Sequence, residues 1–394
     1  MTGADAPETR KPRLGTLIAL TGLAALSMNL FLPSLPAMAR DFGVEYAVIQ
    51  LSVSAYLAAG AVVQLLAGPL SDRLGRRPVM LGALAVFLMA SLACLMAPSI
   101  GLFLLARMVQ SAVTSGMVLP RAVIRDTEAP DRAAGKIGYL MMGMSVVPMA
   151  APALGGLIDH SFGWRANFVL LVVAGLIVTA WAWHDMAETA PPHRTSWRDQ
   201  AAGYPRLMRS GRYWGYVLAA TFASGTFFAY LGGAAFVGLE VFHMSSAEVG
   251  WWFMAPSIGY LAGNFAAGRW SARVGIDRMI AIGAFVTLAS LSFALVMTLA
   301  GHGSAVVFFG SVAVTSLGNG VLLPNANAGM MTVDPDLAGT AAGLGSALMV
   351  AGGAALAAIA GVLLVPGATS VPLVALMATS AAASLGALAL IRRG

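Results

Sequence analysis

The chain has 394 residues but one cysteine, five histidines and only 10% charged side chains, 23 basic and 17 acidic. Each scarcity excludes something. A secreted disulfide scaffold is out, because Cys94 stands alone inside an apolar run. A water-soluble globule carries about 25% charged residues, so that class is out too. Disorder is excluded by a hydrophobic share of 58%. Enzyme signatures are also missing: no H-E-x-x-H, no C-x-x-C, no G-x-S-x-G, and no G-x-x-x-x-G-K before Lys136. What is abundant is Gly (45), Met (22) and apolar sequence with a mean hydropathy of +0.80. That composition describes a polytopic membrane protein, since a helical span needs roughly 20 apolar residues.

Apolar runs bounded by charge, Gly and Pro predict twelve spans: 14–36, 48–70, 79–97, 101–120, 137–158, 165–184, 213–237, 248–269, 278–300, 304–325, 338–362 and 371–391. Their length favours helices over the short alternating strands of a barrel. With the N-terminus inside, 20 of the 23 basic residues fall on inward loops and tails. Arg40 and Arg165 fall outside, and Arg107 falls within a span. The bias follows the positive-inside rule and puts both termini in the cytoplasm. It also argues against nucleic acid, which needs basic residues gathered on a soluble domain. The stretch Ala37-Met38-Ala39 looks like a leader-cleavage site, but the preceding run exceeds the roughly 7–15 residues of a signal core and is read as a helix.

The longest charged connection, 185–212, separates six spans from six, giving an expected bundle at 1–184, a cytoplasmic linker with a short interfacial helix, and a bundle at 213–394. The halves echo each other. GPLSDRLGRRP (68–78) follows the second span and GRWSARVGIDR (268–278) the eighth. Gly68, Ser71, Arg73 and Gly75 match Gly268, Ser271, Arg273 and Gly275 at an offset of 200. Gly116, Leu119, Pro120 and Ala122 match Gly320, Leu323, Pro324 and Ala326 at an offset of 204. Equivalent spans therefore run in the same direction, a parallel repeat.

These residues resemble a major facilitator superfamily transporter, and more narrowly its bicyclomycin/chloramphenicol-resistance branch of drug/proton antiporters. The 68–78 loop fits the superfamily pattern closely. Arg107-Met108-Val109-Gln110-Ser111 resembles an Arg-x-x-Gln-Gly motif with Ser111 departing from glycine. The stretch 148–156, with Pro148, Pro152, Gly155 and Gly156, resembles the antiporter motif, with Ala151 where Gly usually stands. FLPSLPAMA (31–39) and GWRANF (163–168) are typical of the branch. The resemblance implies an all-α membrane protein of twelve transmembrane helices in two pseudo-symmetric six-helix bundles. It implies a monomer in the bacterial inner membrane that exports small amphipathic compounds, phenicol-type antibiotics among them, in exchange for protons and without a cofactor or metal. Facilitated diffusion or specific import is the alternative within transport; a receptor or membrane-embedded enzyme is the alternative outside it.

In the 68–78 loop, Gly68 and Gly75 permit a tight turn, and Asp72 is the only acid among Arg73, Arg76 and Arg77. Asp72 can bond helix N-termini or Arg121 and Arg125, making either a charge gate or a plain topology anchor. In the fifth span, Pro148 and Pro152 should bend the helix, while Gly155 and Gly156 allow close packing.

Arg107 is the sharpest single residue. It lies six residues into a span, roughly 9 Å deep at a 1.5 Å rise, where a charge must face a cavity or a partner. Asn29 and Tyr56 fall in the same layer, and Gln110 shares the helix face of Arg107. These four form an expected polar patch. The resembling antiporters place a carboxylate where Asn29 stands, yet none of the 17 acids here lies mid-span. Proton coupling would then use Asp41 or Glu240 near the outer mouth, or pass through Arg107. In the second half Phe227, Phe228 and Tyr230 offer an aromatic wall, with Trp251, Trp252, Phe253 and Tyr260 beyond it. Asn264, Asn319 and Asn325 are either helix-to-helix bonds or ligand contacts. Met141, Met142 and Met144 offer either adaptable binding surface or core filling.

Overall fold

A computed structural model describes residues 12–128, 130–189, 205–334 and 337–393, and these contain helices and connecting turns but no strand. The first span is broken. Helix α1 (Leu14–Asn29) stops, a 3-10 turn follows (Leu32–Ser34), and α2 (Leu35–Phe42) resumes. Pro33 and Pro36 lack the N–H groups that would carry one helix through. Then come α3 (Tyr46–Leu74), α4 (Arg76–Leu95) and α5 (Ile100–Gln110). A second 3-10 turn, Ser111–Thr114, leads into α6 (Ser115–Thr127). Here no proline intervenes; Ser111 and Ser115 hydroxyls instead donate to the carbonyls of Met108 and Ala112, at 2.6 and 2.8 Å. Helices α7 (Pro130–Phe162) and α8 (Arg165–Asp185) complete this stretch. The expected interfacial helix falls largely on 190–204, outside the described residues.

Beyond it, α9 (Gly211–Phe236) ends in a π turn (Val237–Val241), followed by α10 (Ser246–Trp252) and α11 (Met254–Val274). Helix α12 (Ile276–Met297) ends in another π turn (Thr298–His302), and α13 (Ala305–Thr332), α14 (Ala338–Leu363), α15 (Val371–Gly386) and α16 (Leu388–Arg393) follow. Ten helical segments among the described residues are long and apolar enough to cross a membrane. The other two expected spans, the fifth and eighth, fall on α7 and on the α10–α11 pair, which do not belong to that set. Helix α11 carries Asn264, Arg269 and Arg273 and is polar for its length. Large apolar side chains stand outward around the helices, with Met89 70% and Phe265 73% exposed, a surface suited to lipid rather than water.

The repeated loops share a backbone. Gly75 (φ 100°, ψ 152°) separates α3 from α4, and Gly275 (φ 93°, ψ 147°) separates α11 from α12. Each donates its N–H to a serine carbonyl four residues earlier, Ser71 at 3.0 Å and Ser271 at 2.9 Å. A side chain is disfavoured at such positive φ, so glycine at both matched sites has a steric cause.

Bonds joining residues 12–189 to residues 205–393 gather at one end. Tyr46 donates to the Gly232 carbonyl at 2.8 Å, its ring lies 5.0 Å from Phe236, and Arg40 pairs with Glu240 at 2.8 Å. Helix α3 packs on α14, and α7 on α10 and α11. The arginine-rich loops, with Arg76 and Arg273, lie at the other ends of the same helices.

Candidate functional site

The stop of α1 builds the site. Ending at Asn29, the helix leaves carbonyls without intrahelical donors, and Arg107 of α5 donates Nη1 to one of them, Ser27, at 3.3 Å. The same Nη1 donates to the Gln110 side-chain oxygen, and Gln110 in turn donates to the Ser91 hydroxyl at 2.7 Å. The guanidinium carbon lies 4.2 Å from the Phe31 ring centroid and 4.3 Å from that of Tyr56. Such contacts favour a cation, more so once desolvated. Arg107 is 1% exposed, and its Nε and Nη2 have no hydrogen-bond partner among the described residues.

Three of the four expected patch residues therefore meet: Tyr56, Arg107 and Gln110. Asn29 does not join them. Its amide nitrogen turns back to the Ala25 carbonyl at 2.8 Å, leaving its oxygen without a partner among the described residues. All four are buried inside the packed helices rather than standing on an open wall. Phe31 and Ser27 are members that sequence reasoning passed over. Phe31 opens the FLPSLPAMA string, but its role depends on the helix break.

The second-half candidates divide. Tyr230 is fully buried among Phe227, Phe253, Phe308 and Phe309, the nearest centroid at 5.1 Å, so it fills an aromatic core instead of presenting a wall. Phe228 packs against Gly353 of α14. Asn319 donates to the Ala223 carbonyl and Thr226 hydroxyl, both at 3.0 Å, and accepts from Thr287 at 3.4 Å. That ties α9, α12 and α13 together, a helix-to-helix role. Asn325 bonds back to Val321 within its helix, and Asn264 to Tyr260. Met144 lies on α7, where its side chain is outside those described.

At the arginine-rich end, Arg76 is 4% exposed and pairs with Asp72 at 2.6 Å and Asp126 at 3.0 Å, also bonding Ser71. Asp72 was expected to bond helix N-termini or Arg121 and Arg125; Arg76 of α4 pairs with it, Asp126 of α6 joins the same guanidinium, and Arg125 is exposed. Glu188 accepts from the backbone N–H groups of Arg76 at 2.7 Å and Arg77 at 3.3 Å, capping α4. Gly75 lies directly beside that carboxylate and Arg73 is in the last turn of α3; Gly68, expected at a tight turn, instead lies within α3 in open space, because the chain turns at Gly75 alone. The matching place in the second repeat is a cavity of about 480 Å³ lined by Arg212, Tyr216, Ser271, Asp277 and Arg278.

At the opposite end, Asp41 accepts from Trp164 at 3.1 Å and Arg165 at 2.6 Å, both on its own side of the molecule. Glu240 reaches across to Arg40. Beside that pair opens a crevice of about 720 Å³ that also exposes Glu45, an acid that sequence reasoning overlooked. Helix α7 seals the same end. It stays continuous through Pro148 and Pro152, and a Cβ on Gly155 or Gly156 would collide with the backbone carbonyl of Leu30 or Ser246.

Residues 17–241 match the family model of the Major Facilitator Superfamily. The chain belongs to the Major Facilitator Superfamily. Among superfamily relatives, the multidrug transporter MdfA of Edwardsiella piscicida is 31% identical over 76% of this chain and 72% of that protein. The chloramphenicol resistance protein of Pseudomonas aeruginosa is 29% identical over 77% of this chain and 64% of that protein. The fold agrees with that of a solved bacterial homologue of the human lysosomal transporter Spinster in an inward-facing, unoccupied conformation: TM-score 0.73, 15% identity, covering 96% of this chain and 94% of that one.

Proposed function

We propose that this superfamily member exports small amphipathic compounds, drugs including phenicols among them, across the bacterial inner membrane by alternating access. Its moving parts are two bundles of six spans, residues 1–184 and 213–394, joined by the 185–212 linker, with α7 and α10–α11 supplying the fifth and eighth. The arginine-rich end faces the cytoplasm, as the positive-inside rule requires, together with both termini. The observation that carries this reading is the asymmetry of the two ends. Cross-bundle contacts through Tyr46, Arg40 and Glu240 close one end, while at the other the carboxylates that Arg76 pairs with, Asp72 and Asp126, belong to its own bundle. That is a carrier closed to the outside. The relatives' names supply the substrate class.

Energy comes from the proton gradient. We assign coupling to Glu240, whose pair with Arg40 joins the two bundles at the closed end, in preference to Asp41, which is paired within its own bundle. Exposed pairs are worth about 0–1 kcal/mol, so this bias is a modest one per proton. The protein acts as a monomer with no cofactor. The test is a resistance profile in an efflux-deficient host. Expression should raise resistance and lower accumulation of a subset of compounds, and an uncoupler should abolish both. Increased accumulation would instead mean import, and indifference to the uncoupler would mean facilitated diffusion.

A further inference from the structure

We infer that the transported compounds preferred by this protein are monoanions, carboxylates or groups of like geometry, and that Arg107 is where their charge is received. The inference deepens the export reading and rests on it. Its first support is an imbalance of charge. Arg107 is a buried cation whose identified contacts are a backbone carbonyl, an amide oxygen and two aromatic rings, none carrying a formal negative charge. The described acids nearest the helix ends are engaged elsewhere: Asp41 with Arg165, Glu240 with Arg40, and Asp126 with Arg76. A cation removed from water without a counter-charge is costly, and an arriving anion relieves that cost.

The second support is geometric. Arg107 leaves Nε and Nη2 without acceptors among the described residues. These are adjacent donors of one planar fork, spaced to receive both oxygens of a carboxylate. The third support is the backbone around it. Both spans that frame the guanidinium tighten locally into 3-10 turns, at Leu32–Ser34 beside Phe31, which covers it, and at Ser111–Thr114 immediately after Gln110. A 3-10 turn inside a span marks a hinge, and the end of α1 also gives the Ser27 carbonyl to Arg107. Access follows from a shift of the Phe31 turn, since Phe31 is fully buried in this closed arrangement.

The test uses the full chain reconstituted in proteoliposomes with three probes of similar size: 1-naphthaleneacetate, 1-naphthaleneacetamide and 1-naphthylethylamine. A charge-assisted pair of hydrogen bonds predicts uptake of the carboxylate about tenfold or more above either of the others. Arg107→Gln should erase that preference, and Arg107→Lys should retain part of it; the wild-type ranking decides the matter even if a variant fails to fold. Equal rates, or preference for the amine, overturn the anion assignment and leave export intact. Movement of none of the three also overturns it if the host resistance profile is raised. With no resistance either, the export reading falls first.

Discussion

At the residue scale, the strongest electrostatic commitment away from Arg107 is Arg76. One guanidinium, 4% exposed, neutralises Asp72 from α3 and Asp126 from α6 while standing at the start of α4. A buried cation is tolerable only when it is paired, and deleting Arg76 removes from both carboxylates the guanidinium they share. Arg76→Gln should therefore lower stability by about 3 kcal/mol, read as a drop in the melting temperature of the purified protein in detergent. Adding Asp126→Asn should restore part of the loss, because it removes one of the two charges that Arg76 neutralised. An unchanged melting temperature in the single variant would mean that the cluster is hydrated and structurally idle. Arg107 differs in kind. Arg76 has carboxylate partners and acts as a brace, whereas Arg107 has none among the described residues and keeps two donors unbonded.

At the element scale, helix α7 shows how small residues place a long span against two neighbours at once. Gly155 sits under the Leu30 carbonyl at the α1 break, and Gly156 under the Ser246 carbonyl at the start of α10. Gly155→Val would force those backbones apart, at a cost of about 1–3 kcal/mol for overpacking. Reduced thermal stability and transport are expected, with Gly82→Ala, in open space on α4, as the silent control. Equal melting temperatures for the two variants would show that α7 does not bear on α1. These elements were legible in the sequence to different degrees. The helices announced themselves by apolar length, and Tyr56, Arg107 and Gln110 by the cost of placing polarity at one depth. Asn29 matched that depth too, but an amide at a helix end can turn its nitrogen back to its own helix, and Asn29 does. Asn319 left two roles open and proved to be a fully bonded tie. The break after Gln110 had no proline to reveal it, and Asp126 and Glu188 acquire partners only when separate helices meet.

At the scale of the whole molecule, function requires the closed end to open, and the contacts that close it are few enough to test. Tyr46 is the central one: its hydroxyl reaches the Gly232 carbonyl, and its ring lies 5.0 Å from Phe236 across the interface. Gln50, one turn further along α3, is buried between Gly232 and Gly361 with neither amide atom bonded among the described residues. Its unmet hydrogen bonds make closure less favourable, so the end is held by packing while retaining a reason to release. Cysteines at Tyr46 and Phe236 would stand on the two sides of that interface, within reach of a short bifunctional methanethiosulfonate, and the native Cys94 is buried. Cross-linking the Tyr46→Cys, Phe236→Cys protein with that reagent should abolish transport, and a reductant, which cleaves the mixed disulfides, should restore it, because a carrier locked at one end cannot complete its cycle. The reduced double variant supplies the baseline, and each single variant controls for the lost aromatic contact. Full transport by a protein shown to be crosslinked would mean that these two helices move together, placing the hinge of alternation elsewhere.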